Sequence, residues 1–138
     1  MLTNLAIGKA GDLRVASELL LRGCDVFLTI VDSGSDLVLG NGKRIQVKTA
    51  RRHYFTQKGE YQCSRYTFSF KAWQRNEKHY KCHALENVDF VILWAVEDDV
   101  FFIIPAEKVR GKYSVSLALG RQNNSIYLAF KDKWDSLK

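Results

Sequence analysis

The chain is 138 residues long, 46% hydrophobic and 12% aromatic, with a formal net charge of +6. That content argues against disorder, and the length suits one domain, 1–138, with a real core. No apolar run reaches the length of a membrane span, and no basic-then-apolar leader with a cleavage site is present, so a soluble cytoplasmic or intracellular protein, not secreted and without membrane contact, is expected.

Charge is unevenly spread. Between Lys43 and His83 there are eleven Lys or Arg against Glu60 and Glu77, a net +9, while the remainder carries ten against thirteen, a net −3. A basic middle flanked by acidic ends is the pattern of a polyanion-binding surface. Three cysteines, Cys24, Cys63 and Cys82, make an odd number, which points to reduced thiols rather than a disulfide framework.

Taken in order, Thr3 to Arg22 has helical spacing in Leu13, Ala16, Leu19 and Leu20, with Thr3 or Asn4 as cap and Gly23 as terminator. Gly8 and Gly11 cost helicity, so the regular part is expected to begin only at Gly11. Asp12 in its first turn is an acid that favours the helix dipole. Glu18 reads as surface charge. Cys24 to Leu28 reads as a first strand, and Asp32-Ser33-Gly34-Ser35 as turn chemistry.

The segment Ser35 to Ala50 predicts a hairpin: an apolar strand, a Gly40-Asn41-Gly42 turn tolerant of positive φ, then a strand of alternating character. Ile45 and Val47 fall on one face, Arg44, Gln46 and Lys48 on the other. Gln46 and Lys48 would project side by side, about 7 Å apart, with Asp36 across from them. A hard cation such as Mg²⁺ takes oxygen ligands, one or two of them carboxylates. Asp36, the Gln46 amide oxygen and the Val47 carbonyl are candidate metal ligands, and Lys48 is placed to neutralise charge developing on a phosphate or to help activate water. The plain alternative is a solvated hairpin face.

Beyond the hairpin, Arg51, Arg52, His53, Arg65, Lys71, Arg75, Lys78 and Lys81 are candidate phosphate contacts within a basic region of about 43–83. Tyr66-Thr67-Phe68-Ser69-Phe70 alternates as a strand, its phenylalanines in the core. His79-x-x-Cys82-His83 with Cys63 is loosely zinc-like but has no Cys-x-x-Cys knuckle. Asp89–Val96 and Val100–Pro105 predict a second hairpin of nearly apolar arms, hence central strands buried on both faces. Ala106 to Val109 starts a short helix, Ser114–Leu119 and Ser125–Phe130 are weaker strand candidates, and Lys131–Lys138 is a closing helix with Trp134 and Leu137 inward.

Asp36, a turn, then Gln46-Val47-Lys48 resembles the PD-(D/E)XK nuclease motif, with Gln46 where an acid is usual. Gly8 to Gly23 is similar to the family's opening helix, which commonly carries an acidic metal-site residue. Asp12 stands where a Glu is more usual. Gln46-Val47-Lys48-Thr49-Ala50 resembles this strand in resolvase-like and intron-encoded homing-type members, and Gln is a variant in the homing-type branch. The resemblance is close over the first half of the chain and in outline over the second. It implies an α/β fold, a mixed central β-sheet flanked by helices (a restriction-endonuclease-like core), with the N-terminal helix on one face and smaller helices on the other. It further implies a Mg-dependent endonuclease cutting double-stranded DNA, with Mn as a substitute and Asp36, Gln46, Lys48 and Asp12 as catalytic residues. Cutting both strands from one small domain favours a homo-oligomer, dimer or tetramer. A homing role is expected ahead of a Holliday-junction resolvase or a restriction enzyme; an inactive DNA-binding module on the same fold is the reading from another class.

Overall fold

A computed structural model describes residues 2–30, 34–57, 61–74, 79–82, 85–119 and 125–138. Arg75, Lys78, His83 and Asp32 lie outside the described residues, as do the side chains of Lys81, His79 and Cys82.

Helix α1 spans Asn4–Leu21 and is capped by Thr3, whose hydroxyl accepts from the Ala6 amide at 3.1 Å. It starts well before Gly11, contrary to the expectation from its glycines: the cap and the packing of Val15, Ala16 and Leu19 outweigh a loss of about 1 kcal/mol per glycine. Strands β1 (Val26–Leu28), β2 (Leu37–Leu39) and β3 (Arg44–Ala50) follow. The β2–β3 turn closes with the Gly42 amide donating to the Leu39 carbonyl at 2.8 Å, Gly42 holding φ +88°.

Strands β4 (His53–Gln57), β5 (Tyr61–Ser69), β6 (Lys71–Gln74) and β7 (His79–Cys82) make up the middle of the chain, and β8 (Phe90–Ala95) and β9 (Val100–Pro105) the apolar hairpin. The central sheet has the order β1-β2-β3-β8-β9 and is mixed, because β3 and β8 run parallel while the other neighbours are antiparallel. Strand β8 is central; β9 forms an edge, covered in part by a bridge between Phe102 and Lys131.

Two cores sandwich this sheet. On one face Val15, Ala16 and Leu19 of α1 pack on Leu37, Ile45, Val47, Ile92 and Ile103, together with Trp134 and Leu137 of a closing 3-10 helix, Trp134–Leu137. On the other face Tyr66, Phe68 and Phe70 of β5 pack on Val91, Leu93, Phe102 and Ile104, with Val115 and Leu117 of β10 (Ser114–Leu117). Here β10, β5 and β4 form an antiparallel sheet, and two short 3-10 helices, Ala106–Lys108 and Ile126–Phe130, complete the layer. The second of these replaces the strand expected over Ser125–Phe130. Ser125 caps it by accepting from the Tyr127 amide, and Tyr127 turns into the core. The architecture is α/β: a mixed sheet with α1 on one face, while the other face, expected to carry helices, is covered mainly by the antiparallel β10-β5-β4 sheet because the alternating aromatics of β5 fill that core.

Candidate active site

The hairpin strands β2 and β3 separate at one point, and the site is built there. The ladder ends where the Asp36 amide donates to the Ile45 carbonyl at 2.8 Å. Two residues further along β3 the Asp36 side chain substitutes for the departed backbone: its Oδ2 accepts from the Val47 amide at 2.8 Å. The same oxygen accepts from Gln46 Nε2 at 2.8 Å, so the carboxylate lies in the plane of the sheet. Gln46 Nε2 also approaches the Val47 carbonyl at 3.4 Å. The Gln46 amide nitrogen is thereby committed to the carboxylate, which turns its oxygen away from Asp36.

Alternation along β3 divides the remaining groups. Ile45 and Val47 are buried beneath α1, which sends Gln46 and Lys48 to the opposite face. Lys48 Nζ sits 5.6 Å from the centre of the Phe70 ring, which belongs to the second core. Burial pulls the Lys48 ammonium below the usual lysine range, against the opposing pull of Asp36 and then Asp12. From the α1 side comes Asp12, whose carboxyl is pushed up to about 6, first by burial and then by the charge of Asp36, against the lowering effects of Lys9 and Lys48. Asp12 and Asp36 line one cavity of about 240 Å³ with Lys9, Leu13, Leu28, Thr29 and Ile30.

Asp12, Asp36, Gln46 and Lys48 thus meet from three directions: from the helix, in the sheet plane and from the far face. Two residues to which the sequence reading gave no part in the site help to shape it. Lys9 pairs with Asp12 at 3.7 Å, a contact its i,i+3 spacing could have signalled. Gly11 is buried against Thr49 of β3, where a Cβ would lie 1.7 Å from the Thr49 hydroxyl; nothing local in the sequence signals this.

The donors fit a hard divalent cation. The oxygens on hand are two carboxylates and a main-chain carbonyl; Gln46 turns its nitrogen to both Asp36 and Val47, and its oxygen would join the set only once that amide turns over. The raised Asp12 carboxyl reflects its burial first and the nearby charge of Asp36 second, both of which a bound cation would offset. Among the described residues no group of three or more His, Cys, Asp or Glu is arranged to hold a metal, so the carboxylate count here stays at two.

The basic candidates divide into two sets. Arg51 and Arg52 turn onto the β8–β9 turn: Arg51 Nε donates to Glu97 at 2.9 Å, the Arg52 amide donates to Glu97 at 2.8 Å, and the Arg52 guanidinium pairs with Asp98. Asp98 also accepts from the buried Tyr66 hydroxyl at 2.6 Å, so the cluster ties β3, β5 and the turn together. His53, Arg65 and Lys71 are exposed. His53 pairs in register with Arg65 across the β4–β5 ribbon, and the Arg65 guanidinium stacks 4.9 Å from the Phe55 ring centre. Lys81 lies on β7 opposite Ala72.

A forked hairpin that sets Asp36 against Gln46-Val47-Lys48, with a helical acid beside it, points to a nuclease class. The sequence pattern of the PD-(D/E)XK endonucleases matches residues 3–133, and the chain belongs to that family. Its fold is similar to that of the bacterial homing endonuclease I-Ssp6803I, with a TM-score of 0.72 over 99% of this chain and 92% of that one; at 17% identity the likeness is one of fold. No curated protein matches the sequence. No helix among the described residues is long and apolar enough to cross a membrane.

Proposed function

We propose that this endonuclease hydrolyses phosphodiester bonds in double-stranded DNA with the help of a divalent cation, Mg²⁺ or Mn²⁺ in its place, and that it serves a site-specific, homing-type role. One observation carries the reading: Asp36 Oδ2 holds both the Gln46 amide and the Val47 backbone at 2.8 Å, within electrostatic reach of a half-buried Lys48. Asp36, the Val47 carbonyl and, once its amide turns over, the Gln46 oxygen would hold the cation, with Asp12 as an outer carboxylate. When bound, such an ion polarises the phosphate and lowers the pKa of a bound water.

The chain's own residues do the rest. Asp36 is held rigid by two donors, so its second oxygen keeps one orientation. Lys48, drawn out of water beside Phe70, presents a positive charge where negative charge grows on the phosphate, and burial strengthens that interaction. Lys9 balances Asp12. The ribbon residues His53, Arg65 and Lys71, with Arg75, Lys78 and Lys81, would track the DNA backbone, and Arg51 and Arg52 would lend long-range charge. Double-strand cutting would come from a homo-oligomer, dimer or tetramer. The domain reading of 1–138 as one nuclease-like unit belongs to this proposal too.

The test uses supercoiled plasmid and a synthetic four-way junction, with and without Mg²⁺, against the wild-type chain and Lys48→Ala. Plasmid cutting that needs Mg²⁺ and falls about 10²–10³-fold in Lys48→Ala, with DNA binding retained, is expected. Preference for the junction would convert the role to a resolvase. Intact, salt-sensitive binding with no cutting of these DNAs or of a random-sequence library would overturn catalysis and leave a DNA-binding module.

A further inference from the structure

Two lysines approach the two acids of the site, and they differ in freedom. Lys48 is half-buried, with its Nζ 5.6 Å from the centre of the Phe70 ring. Lys9, near the start of α1, has a side chain that is 69% exposed; its Nζ stands 3.7 Å from Asp12 Oδ2, and it lines the cavity that Asp12 and Asp36 share. The arginines of this helix and its end are engaged elsewhere: Arg14 is held by Asp99 and Glu18, and Arg22 by Glu18. An exposed i,i+3 pair at this distance contributes little to stability. The space beside Lys9 is open too, since a Cβ added at Gly8 would meet nothing within 4 Å. Lys9 is therefore the one of the two lysines that leaves its place at little cost.

The charges explain why it stays until something else arrives. Once Asp12 is ionised, Asp12 and Asp36 are balanced by Lys9 and Lys48, and the Asp12 carboxyl responds to all three of its neighbours. A divalent cation held by the two acids would turn this balance into an excess of positive charge. Asp12 would no longer need an ammonium beside it, and the excess would attract the phosphate of a bound DNA strand. Lys48 is confined by burial, so Lys9 is the group that can follow the phosphate.

We propose that Lys9 is a substrate-contact residue with two alternative partners. In the metal-free chain its ammonium stands in for the cation beside Asp12; with the cation in place it turns to a phosphate of the bound DNA. The proposal rests on the reading of this site as one for a divalent cation and DNA, and it adds a coupling to that reading. Cation and DNA each favour the Lys9 position that suits the other, so each strengthens the binding of the other by the same factor.

Salt titration of DNA binding tests it, run on the wild type, Lys9→Met and Lys9→Arg. The probe is a short random-sequence duplex, checked on gels to stay uncut, in chelator and then in saturating Ca²⁺, which takes the same oxygen donors as Mg²⁺. Methionine keeps a long unbranched side chain and the helix propensity of lysine, so the variant is expected to fold. In chelator the wild-type and Lys9→Met slopes of log affinity against log salt should coincide, because Lys9 stays on Asp12. In Ca²⁺ the wild-type slope should be steeper than that of Lys9→Met by about one, the value of one phosphate contact. Lys9→Arg, which keeps the charge, should follow the wild type. Calorimetry without DNA should show Lys9→Met binding Ca²⁺ several-fold tighter than the wild type, since the competing ammonium is gone. A slope difference of equal size with and without Ca²⁺ would make Lys9 a fixed phosphate contact, and no difference in either condition would make it plain surface charge; each result overturns the proposal. Plasmid cutting is scored separately: a chain that cuts without the Ca²⁺-dependent difference loses this proposal alone, whereas one that binds no divalent cation loses the nuclease reading of the site with it.

Discussion

Gly11 and Thr49 lie so close that a Cβ on Gly11 would sit 1.7 Å from the Thr49 hydroxyl and 3.0 Å from its Cβ. Helix α1 therefore rests on β3 at a separation set by the missing side chain, and Asp12, the next residue, inherits that separation. Gly11→Ala should raise intrinsic helix propensity yet destabilise the chain by about 2 kcal/mol, because overpacking outweighs the gain. Replacing Thr49 by Ala in the same chain removes the clashing oxygen, which is buried without a hydrogen-bond partner. Most of the lost stability and cutting should return in the double variant. Denaturant unfolding of all four chains measures the coupling; purely additive effects would show that the contact does not set the helix position.

Asp12 makes the metal-free chain pH-sensitive. Its carboxyl is raised from 3.8 to about 6, so the folded state holds this proton more tightly than the unfolded state. That stabilisation is fully present below about 3.8 and is lost as pH rises through about 6, on the order of 3 kcal/mol in all. In chelator, wild-type stability relative to Asp12→Asn should fall across that window. Adding Mg²⁺ should then raise the melting temperature more at pH 8 than at pH 5, since the cation supplies the missing counter-charge. Parallel pH curves for the two chains would remove Asp12 from the site.

The parts of the site carried by one hairpin are legible in the sequence, because alternation and a short turn leave few ways to arrange Asp36, Gln46 and Lys48. The opening helix is legible from Thr3, Leu19 and Gly23, although its glycines misplace its start. What joins distant segments is not legible. Arg51 and Arg52 read as free positive charge until β3 and β8 lie side by side and bring Glu97 and Asp98 to them. Ser125–Phe130 has a strand-like pattern, but its Ser125 cap and the burial of Tyr127 select a 3-10 helix. Strand β9 reads as central from its apolar content, and only its pairing shows it to be an edge.

Gln46 occupies the place where the motif usually has an acid, and its amide makes a hydrogen bond that an acid could not. Gln46→Glu would set an acceptor against Asp36 Oδ2 in place of the donor now 2.8 Å away. Two ionised carboxylates at that separation repel. The metal-free variant should unfold more easily at neutral pH, by about 1–3 kcal/mol for the broken charged hydrogen bond. Its divalent-cation affinity should rise at the same time, since the extra charge favours Mg²⁺. Calorimetric titration with Mg²⁺ and thermal unfolding in chelator measure the two effects; a variant that binds Mg²⁺ no better would mean that Gln46 does not face the cation.

The split among the basic residues predicts a split in their effects on DNA binding. Arg65 and Lys71 are exposed, and among the described residues neither has an acidic partner. Each phosphate contact contributes roughly one unit to the slope of log affinity against log salt. Arg65→Ala and Lys71→Ala should each lower that slope by about one and leave stability within about 0.5 kcal/mol. Arg52 is already paired with Asp98, beside the Tyr66 hydroxyl that donates to the same carboxylate. Arg52→Ala should therefore leave the slope nearly intact and lower the melting temperature, because it frees Asp98 and loosens the tie between β5 and the β8–β9 turn. Binding titrations at several salt concentrations, paired with thermal melts, separate the two classes. A full unit lost from the slope in Arg52→Ala would mean that the arginine leaves Asp98 for phosphate when DNA arrives.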